Sequence, residues 1–378
     1  GTIDLQAPSL WYVYPKWHRV SFTLIAEKHI EYLRKEGVGV QEVDELAFPT
    51  LYPVSSPTAV VHPFLYIMLR VLQVHSRKLP PKTGTLDVEG LAYWRSKYNS
   101  IIAVDVCDSD RMSRAAVELL NMADKVVVPS TFCKQVYESS GVKKPVYAIP
   151  HGVDPEWYET ENVWDTGPVS SINPMLIELL LYKLKKGKKL LLFWLWHSPE
   201  RKGWPEVREF YRMLRKLRDD VVLVLKTAAP RSAEFLQVAD LGAVEVYGWL
   251  SDYDKMALYD LADITLNFSR GGGFELNCLE SLARGTPCIA SDWGSWTDYL
   301  PQFLRVKRGL EVEVLPNNIF HIGKGYTVDV EDAVSKALDI LDNFVEYKAK
   351  TMEWRENFLK NFFRWDLIAE KLFKMITN

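Results

Sequence analysis

Three consecutive glycines, Gly271-Gly272-Gly273, stand between an apolar run (ADITLNFS) and a helical stretch (LNCLESLARG). That stretch stops at Gly285, just before a second apolar run, PCIASD. Glycines at such a junction let the backbone approach a ligand closely and adopt positive φ. The helix behind them aims free N–H groups and the positive end of its dipole at the loop. A loop of this build is an anion site, most often for phosphate, although a tight strand-to-helix turn also uses glycine for packing alone. Glu280 shifts the balance, because it interrupts the apolar Leu276, Leu279, Leu282 and Ala283 of the same helix. A carboxylate there is either a half-buried acid satisfied within the fold or an acceptor for the paired hydroxyls of a ribose.

The elements that must position this loop alternate between strand and helix. SLWYVY, PTAVVH, SIIAVDV, DKVVVPS and PVYAIP are strand-like. Between them lie helical stretches such as SFTLIAEKHIEYLRKEG, stopped by Gly37, HPFLYIMLRVLQVH and RMSRAAVELLNMA. This order predicts βαβ units and a parallel sheet. The pattern breaks after Asp154, where EWYETENVWDTGPVSSINP has no period and many turn residues, and it reads as a linker. A second α/β series follows: KLLLFWLW, a helix from Pro205 to Lys216, VVLVLKT, AVEVYG, a helix near Tyr253–Leu261, DITLNFS and CIASD. Two open α/β units predict a ligand cleft at the carboxyl edges of their strands. From Val334 onward the chain reads as almost wholly helical.

Composition narrows the function. A chain of 378 residues, 48% hydrophobic and 25% charged, has room for two cored domains and is not of disordered or collagen type. The net charge of −3 provides no basic field for nucleic acid. The start, GTIDLQAPSLWYVYPKW, lacks the pattern of a signal peptide, and no run approaches a membrane span. Four scattered cysteines, Cys107, Cys133, Cys278 and Cys288, are expected to be buried reduced thiols in a cytoplasmic protein rather than disulfides or a zinc site. Scarce Gln beside abundant Trp, Tyr, Lys and Glu is the composition of a thermophile. The basic stretch YKLKKGKKL, residues 182–190, is either a solvated helix end or a weak peripheral contact with the inner membrane face.

GGFELNCLESLARGTPCIA resembles the donor-site signature E-G-F-G-L-P-x-L-E-A-x-A-x-G-x-P-V-I-A of family 4 retaining glycosyltransferases, group 1 type. Other features of that family follow in order. WHSPERKGW resembles the loop G-R-x-x-x-x-K-G, and IPHGVD resembles I-P-N-G-V-D. VYGWLSDYDKMALYDLADITLNFS resembles the stretch before the glutamates, ADKVVVPSTFCKQVY the start of a first-domain helix, and FFRWDLIAEKLFKMI the closing helix. The resemblance is strong over about residues 120–300 and 360–378. It implies the GT-B fold, two Rossmann-like parallel-sheet domains facing across a cleft. Residues 1–160 would read the acceptor, 161–187 link, and 188–363 hold the donor, with the helix 364–378 docking back on the first domain.

The implied reaction moves a hexose from a UDP- or GDP-sugar to a hydroxyl of a glycan or lipid-linked acceptor, with retention and with neither metal nor cofactor. Lys202 falls on the lysine that pairs with the donor diphosphate, and Glu280 on the glutamate that binds the ribose. Gly271, Gly272, Gly273, Phe274, Glu275 and Leu276 fall on the positions facing sugar and phosphates, and Trp249 and Leu250 on the base site. The departures matter. The motif's first glutamate falls on Gly272, so Glu275 is either a replacement carboxylate or a helix cap. The family arginine falls on His197. The first-strand loop lacks its glycine pair, leaving Lys16 and His18 to meet a phosphate. The strand expected to end in a catalytic histidine ends in VDVCDSD, so Asp105, Asp108 and Asp110 are candidates, as is His62; each is equally open to a capping role. The missing glutamate also admits a non-catalytic nucleotide-sugar binder. An epimerase is disfavoured because no G-x-G-x-x-G follows the first strand.

Overall fold

The computed structural model describes residues 10–76 and 86–378; the first nine residues of the N-terminal stretch lie outside them. Two units result. Unit 1 takes the chain up to His151 together with Leu315–Gly323 and Trp365–Asn378, and unit 2 takes Gly152–Val314 and Lys324–Arg364.

Unit 1 is built on β1 (Leu10–Tyr14), β2 (Val40–Asp44), β3 (Thr58–Val61), β4 (Ser100–Val104), β5 (Lys125–Val128) and β6 (Val146–Ala148). They pair in parallel in the order β2-β1-β3-β4-β5-β6. Short runs rich in Val and Ile form these strands because a parallel sheet is covered on both faces. Strand β2 went unread in the sequence for a physical reason: it is an edge strand in which Val40 and Val43 alone carry the apolar signal. Helix Trp365–Thr377 packs on helix Ser21–Lys35. It buries Trp365, Ile368, Ala369, Leu372 and Met375, while Leu367, Phe373 and Ile376 are only partly covered. The stripe starts one turn earlier than its aliphatic residues suggest because Trp365 packs edge-on against His29, ring centres 5.6 Å apart.

Unit 2 carries β7 (Lys189–Trp194), β8 (Val221–Thr227), β9 (Val244–Tyr247), β10 (Ile264–Asn267), β11 (Cys288–Ser291) and β12 (Arg305–Val306), in the parallel order β12-β11-β10-β7-β8-β9. A separate antiparallel hairpin joins β13 (Arg308–Glu313) to β14 (Lys324–Val328). All seven residues of β8 are buried. The order reverses between β7 and β10, so the loops after these two strands flank the crevice where open α/β sheets bind ligands.

The stretch 161–187, expected as a linker, holds helix Pro174–Lys186, whose Leu176 and Leu179 are buried in the core of unit 2. Asn173 caps it and proline occupies its first position, a start signal present in the sequence. In the basic stretch 182–190, which begins in the last turn of this helix, Lys183 pairs with Asp263 and Lys188 donates to the Asp219 carbonyl, while Leu184, Lys185 and Lys186 are exposed. The four cysteines are buried and unbridged. Among the described residues no helix is long and apolar enough to cross a membrane.

Candidate functional site

The glycine loop follows β10, and helix Leu276–Ala283 rises from it. The loop after β7 lies against it: Arg270 N donates to the Arg201 carbonyl at 2.8 Å, and Arg201 Nη1 donates to the Gly271 carbonyl at 3.1 Å. Gly203 makes the approach possible, since its φ is +81° and a Cβ there would lie 2.0 Å from the Phe268 carbonyl oxygen. Ser295 Oγ donates to the Gly272 carbonyl, and Tyr299 Oη donates to those of Phe274 and Glu275. These hydroxyls fix the loop from behind, with its carbonyls turned inward.

Glu275 adopts φ +69°, a conformation that glycine favours, and its side chain makes no capping bond. The carboxylate folds back instead. Lys202 Nζ donates to its Oε2 at 2.8 Å, and Arg201 lies 3.7 Å from Oε1. Burial pushes this carboxyl up, but the charges of Lys202 and Arg201, with hydrogen bonds from Lys202 and Ser269, outweigh burial and hold it below its ordinary value. A Cβ on Gly272 would lie 2.1 Å from Glu275 Oε1. The carboxylate of residue 275 therefore fills the space a side chain at 272 would need. Relative to E-G-F-G, glutamate and glycine have exchanged places, and the backbone has kept the left-handed turn at the position the pattern gives to glycine.

Glu280 lies one turn into the helix, 5% exposed, and accepts from Tyr259 Oη at 2.9 Å, with Lys255 Nζ 4.0 Å from its other oxygen. Burial raises its pKa, and Lys255 and Tyr259 offset part of the rise. Leu250 is buried in the core, whereas Trp249 beside it is 81% exposed. Phe274 packs against Tyr299 with the rings tilted and takes a core role. His197 is exposed, its Nδ1 2.9 Å from Ser198 Oγ. The loops after β7 and β10 thus bring Arg201, Lys202, Glu275 and the three glycines together.

Sequence reasoning missed three residues of this region. Arg201 adjoins Lys202 in ERKG and was legible as a second cation. Tyr259 carries no signal without the fold. Lys226 is the one charge in the apolar run VVLVLKT, and it is buried beneath Trp194 and Trp196.

In unit 1 the candidate acids have structural partners. Asp105, at the end of β4, is buried and accepts from the Leu65 and Val106 amides, both at 2.8 Å, which satisfies the first turn of helix Phe64–His75. Burial raises its pKa to about 6 despite these bonds and the charge of His321. Asp108 donates its amide to His321 Nδ1, and Asp110 is exposed. His62 is buried against Tyr12, whose hydroxyl lies 2.8 Å from the Nδ1 atoms of both His62 and His29. Lys16 lies over Trp17, and both Trp17 and His18 are exposed on the loop after β1.

Residues 192–311 match the family model described as glycosyl transferases group 1. Uncharacterized protein 356 of Sulfolobus islandicus rod-shaped virus 1 is 31% identical over 365 residues, covering 93% of this chain and 95% of its own. The sucrose-phosphate synthase of Thermosynechococcus elongatus superposes with TM-score 0.64 at 15% identity, covering 97% of this chain and 98% of its own. The trehalose-6-phosphate protein of E. coli bound with UDP-2-fluoro glucose gives the same score at 13% identity, covering 98% of this chain and 99% of its own. At these identities the two structures show the GT-B fold. The segment from β7 through the glycine loop is thus that of a group 1 glycosyltransferase, carried on this fold.

Proposed function

We propose that this glycosyltransferase moves a hexose from a UDP- or GDP-sugar to the hydroxyl of a glycan or lipid-linked acceptor, with retention at the anomeric carbon and without a metal ion. The observation that carries the reading is the pairing of Glu275 with Lys202 and Arg201 beside the glycine loop. Two cations held against a buried carboxylate at a sheet's switch point form a site for a dianionic leaving group. On donor binding the diphosphate shares Lys202 and Arg201, while Glu280 accepts from the ribose hydroxyls. The bond from the anomeric carbon to the β-phosphate oxygen breaks, the bond to the acceptor oxygen forms on the same face, and the acceptor proton passes to the departing phosphate. A non-catalytic binder was suggested by a loop lacking its carboxylate; Glu275 supports the enzyme because it supplies one.

The test is a donor panel with acceptor sugars and glycans, followed by nucleoside diphosphate release and by proton NMR of the product. Retention is expected, with turnover unchanged by EDTA. An inverted anomer would overturn retention. Loss of turnover in EDTA, with recovery on adding magnesium, would overturn metal independence.

A further inference from the structure

A continuous stack runs from Glu280 to the molecular surface in unit 2. Glu280 holds the hydroxyl of Tyr259, and the Tyr259 ring stacks on Trp194 with centres 5.7 Å apart and planes 25° apart. Lys226 Nζ sits 5.3 Å from the Trp194 ring centre and 5.0 Å from that of Trp196. Trp196 is 56% exposed. Lys226 itself is 1% exposed and donates to the carbonyls of Thr227, at 3.0 Å, and Gly248, at 2.6 Å. The second bond fixes the turn that carries the exposed Trp249. One ammonium therefore holds both indoles that stand at the carboxyl edge of β7 and β9.

The charge on Lys226 is unusual. Burial and neighbouring Lys255 lower its pKa to about 8, and among the described residues no carboxylate pairs with it. A buried cation without an anionic partner is costly unless dipoles or rings compensate it. Here two carbonyl dipoles and two indole faces do so, and one of those indoles, Trp196, is open to solvent. An indole with a cation on one face and water on the other is a platform for a second flat ring.

We propose that Trp196 is the stacking floor for the nucleobase of the donor, that Lys226 is its positioning residue, and that the pair selects bases with a carbonyl edge, such as uracil or guanine, over adenine. The proposal rests on the nucleotide-sugar reading above. Its chemistry is electrostatic: keto oxygens place partial negative charge near the Lys226 ammonium, which no carboxylate neutralises among the described residues, whereas the adenine amino group places partial positive charge there.

Calorimetric titrations of the whole chain with UDP, GDP, ADP and inorganic pyrophosphate test it, in wild type and in Trp196→Ala, Trp196→Phe and Lys226→Met. In wild type, UDP or GDP is expected to bind at least roughly tenfold more tightly than ADP. Trp196→Ala should weaken the preferred nucleotide roughly tenfold, the scale of one lost base–aromatic stack, and leave pyrophosphate unchanged. Trp196→Phe should restore most of that loss, and Lys226→Met should narrow the ratio between keto bases and adenine. Equal or tighter ADP binding in wild type, or an unchanged nucleotide affinity in Trp196→Ala, overturns the proposal and leaves the sugar-transfer reading standing. Failure of every nucleoside diphosphate to bind overturns that reading itself. Trp196 is on the surface, so its variants remain informative even where Lys226→Met folds poorly.

Discussion

In unit 1, His29 and His62 are buried and His151 half-buried, clustered with Tyr12 and Trp365, and desolvation pushes His29 to about 4, His151 to about 3 and His62 well below its ordinary value. In unit 2 the buried carboxylates Asp260, Glu275 and Asp263 keep their charge by pairing, with Arg284, with Lys202 and Arg201, and with Lys183. Both solutions satisfy the rule that buried polar groups need partners, but they leave different capabilities. A neutral histidine cluster stiffens a core. Paired charges at a switch point can be redistributed onto an anionic ligand, and that is why the proposed donor site lies in unit 2.

The largest expected effect breaks a charge pair. Arg284 donates all five of its N–H groups, to both Asp260 oxygens and to the carbonyls of Trp157, Thr160 and Glu161, with both side chains 2% exposed. Arg284→Leu strands Asp260 as a buried unpaired charge, a loss of about 3–5 kcal/mol. Urea denaturation should show it, and hydrogen exchange should open in peptides of unit 2 first. Equal exchange in both units would mean that the pair does not hold unit 2 in particular.

Next comes the exchanged pair. Lys202→Met should slow transfer by about 10²–10³, the scale of one lost charge-stabilising contact. Gly272→Ala should also slow transfer, by a smaller factor, because its Cβ would displace the Glu275 carboxylate from Lys202 and Arg201. Glu275→Gly alone removes the carboxylate, and adding Gly272→Glu should recover most of the lost rate. If the double variant is no better than Glu275→Gly, the two positions do not present the carboxylate to the same place.

What was legible in the sequence follows the same division. The glycine loop, Lys202 and Glu280 could be read because backbone geometry and a carboxylate in an apolar stripe leave marks in one short segment. The partners of Glu275 could not, because Arg201 and Lys202 lie 74 and 73 residues away and only the β7–β10 neighbourhood brings them close. Helix Pro174–Lys186 was read as linker although Asn173-Pro174 announces it, because the turn residues before it masked its period. In unit 1, Asp105 read as a candidate acid because a carboxylate at a strand end looks the same whether it faces substrate or backbone amides.

Acid should separate the units. A histidine whose folded pKa is depressed binds its proton more readily once unfolded, so its contribution is intact above about 6.5 and is lost as pH falls from there towards the folded values near 4 and 3. Each histidine costs about 1.4 kcal/mol per pH unit in that window. Asp105 works in the opposite sense, because its folded value is raised to about 6 and acid favours its folded form. Three histidines against one such acid leave unit 1 losing roughly 3 kcal/mol between pH 6 and pH 5. Hydrogen exchange at the two pH values, corrected for intrinsic rates, should therefore deprotect unit 1 peptides first. Earlier opening of unit 2 would show that the histidines are not the acid-sensitive element.

The smallest effect concerns Glu280, where the two solutions meet. Like the unit 1 groups it is buried and pushed towards its neutral form, yet like the unit 2 groups it has a cation, Lys255, at 4.0 Å. One of its oxygens is committed to Tyr259, and the other faces Lys255. A ribose reaching that second oxygen would gain a charge-assisted bond, and its approach would exchange a distant ion pair for a close hydroxyl. Glu280→Gln keeps the size and the bond from Tyr259 but removes the charge, so donor affinity should fall by about 1.5–3 kcal/mol. A structural role alone would produce a similar loss through the stack on Trp194, so affinity by itself does not decide. The deciding quantity is the ratio of affinities for the ribose and 2′-deoxyribose forms of the same nucleotide. That ratio should be large in wild type and near one in Glu280→Gln. An equal ratio in the two proteins would confine Glu280 to holding Tyr259.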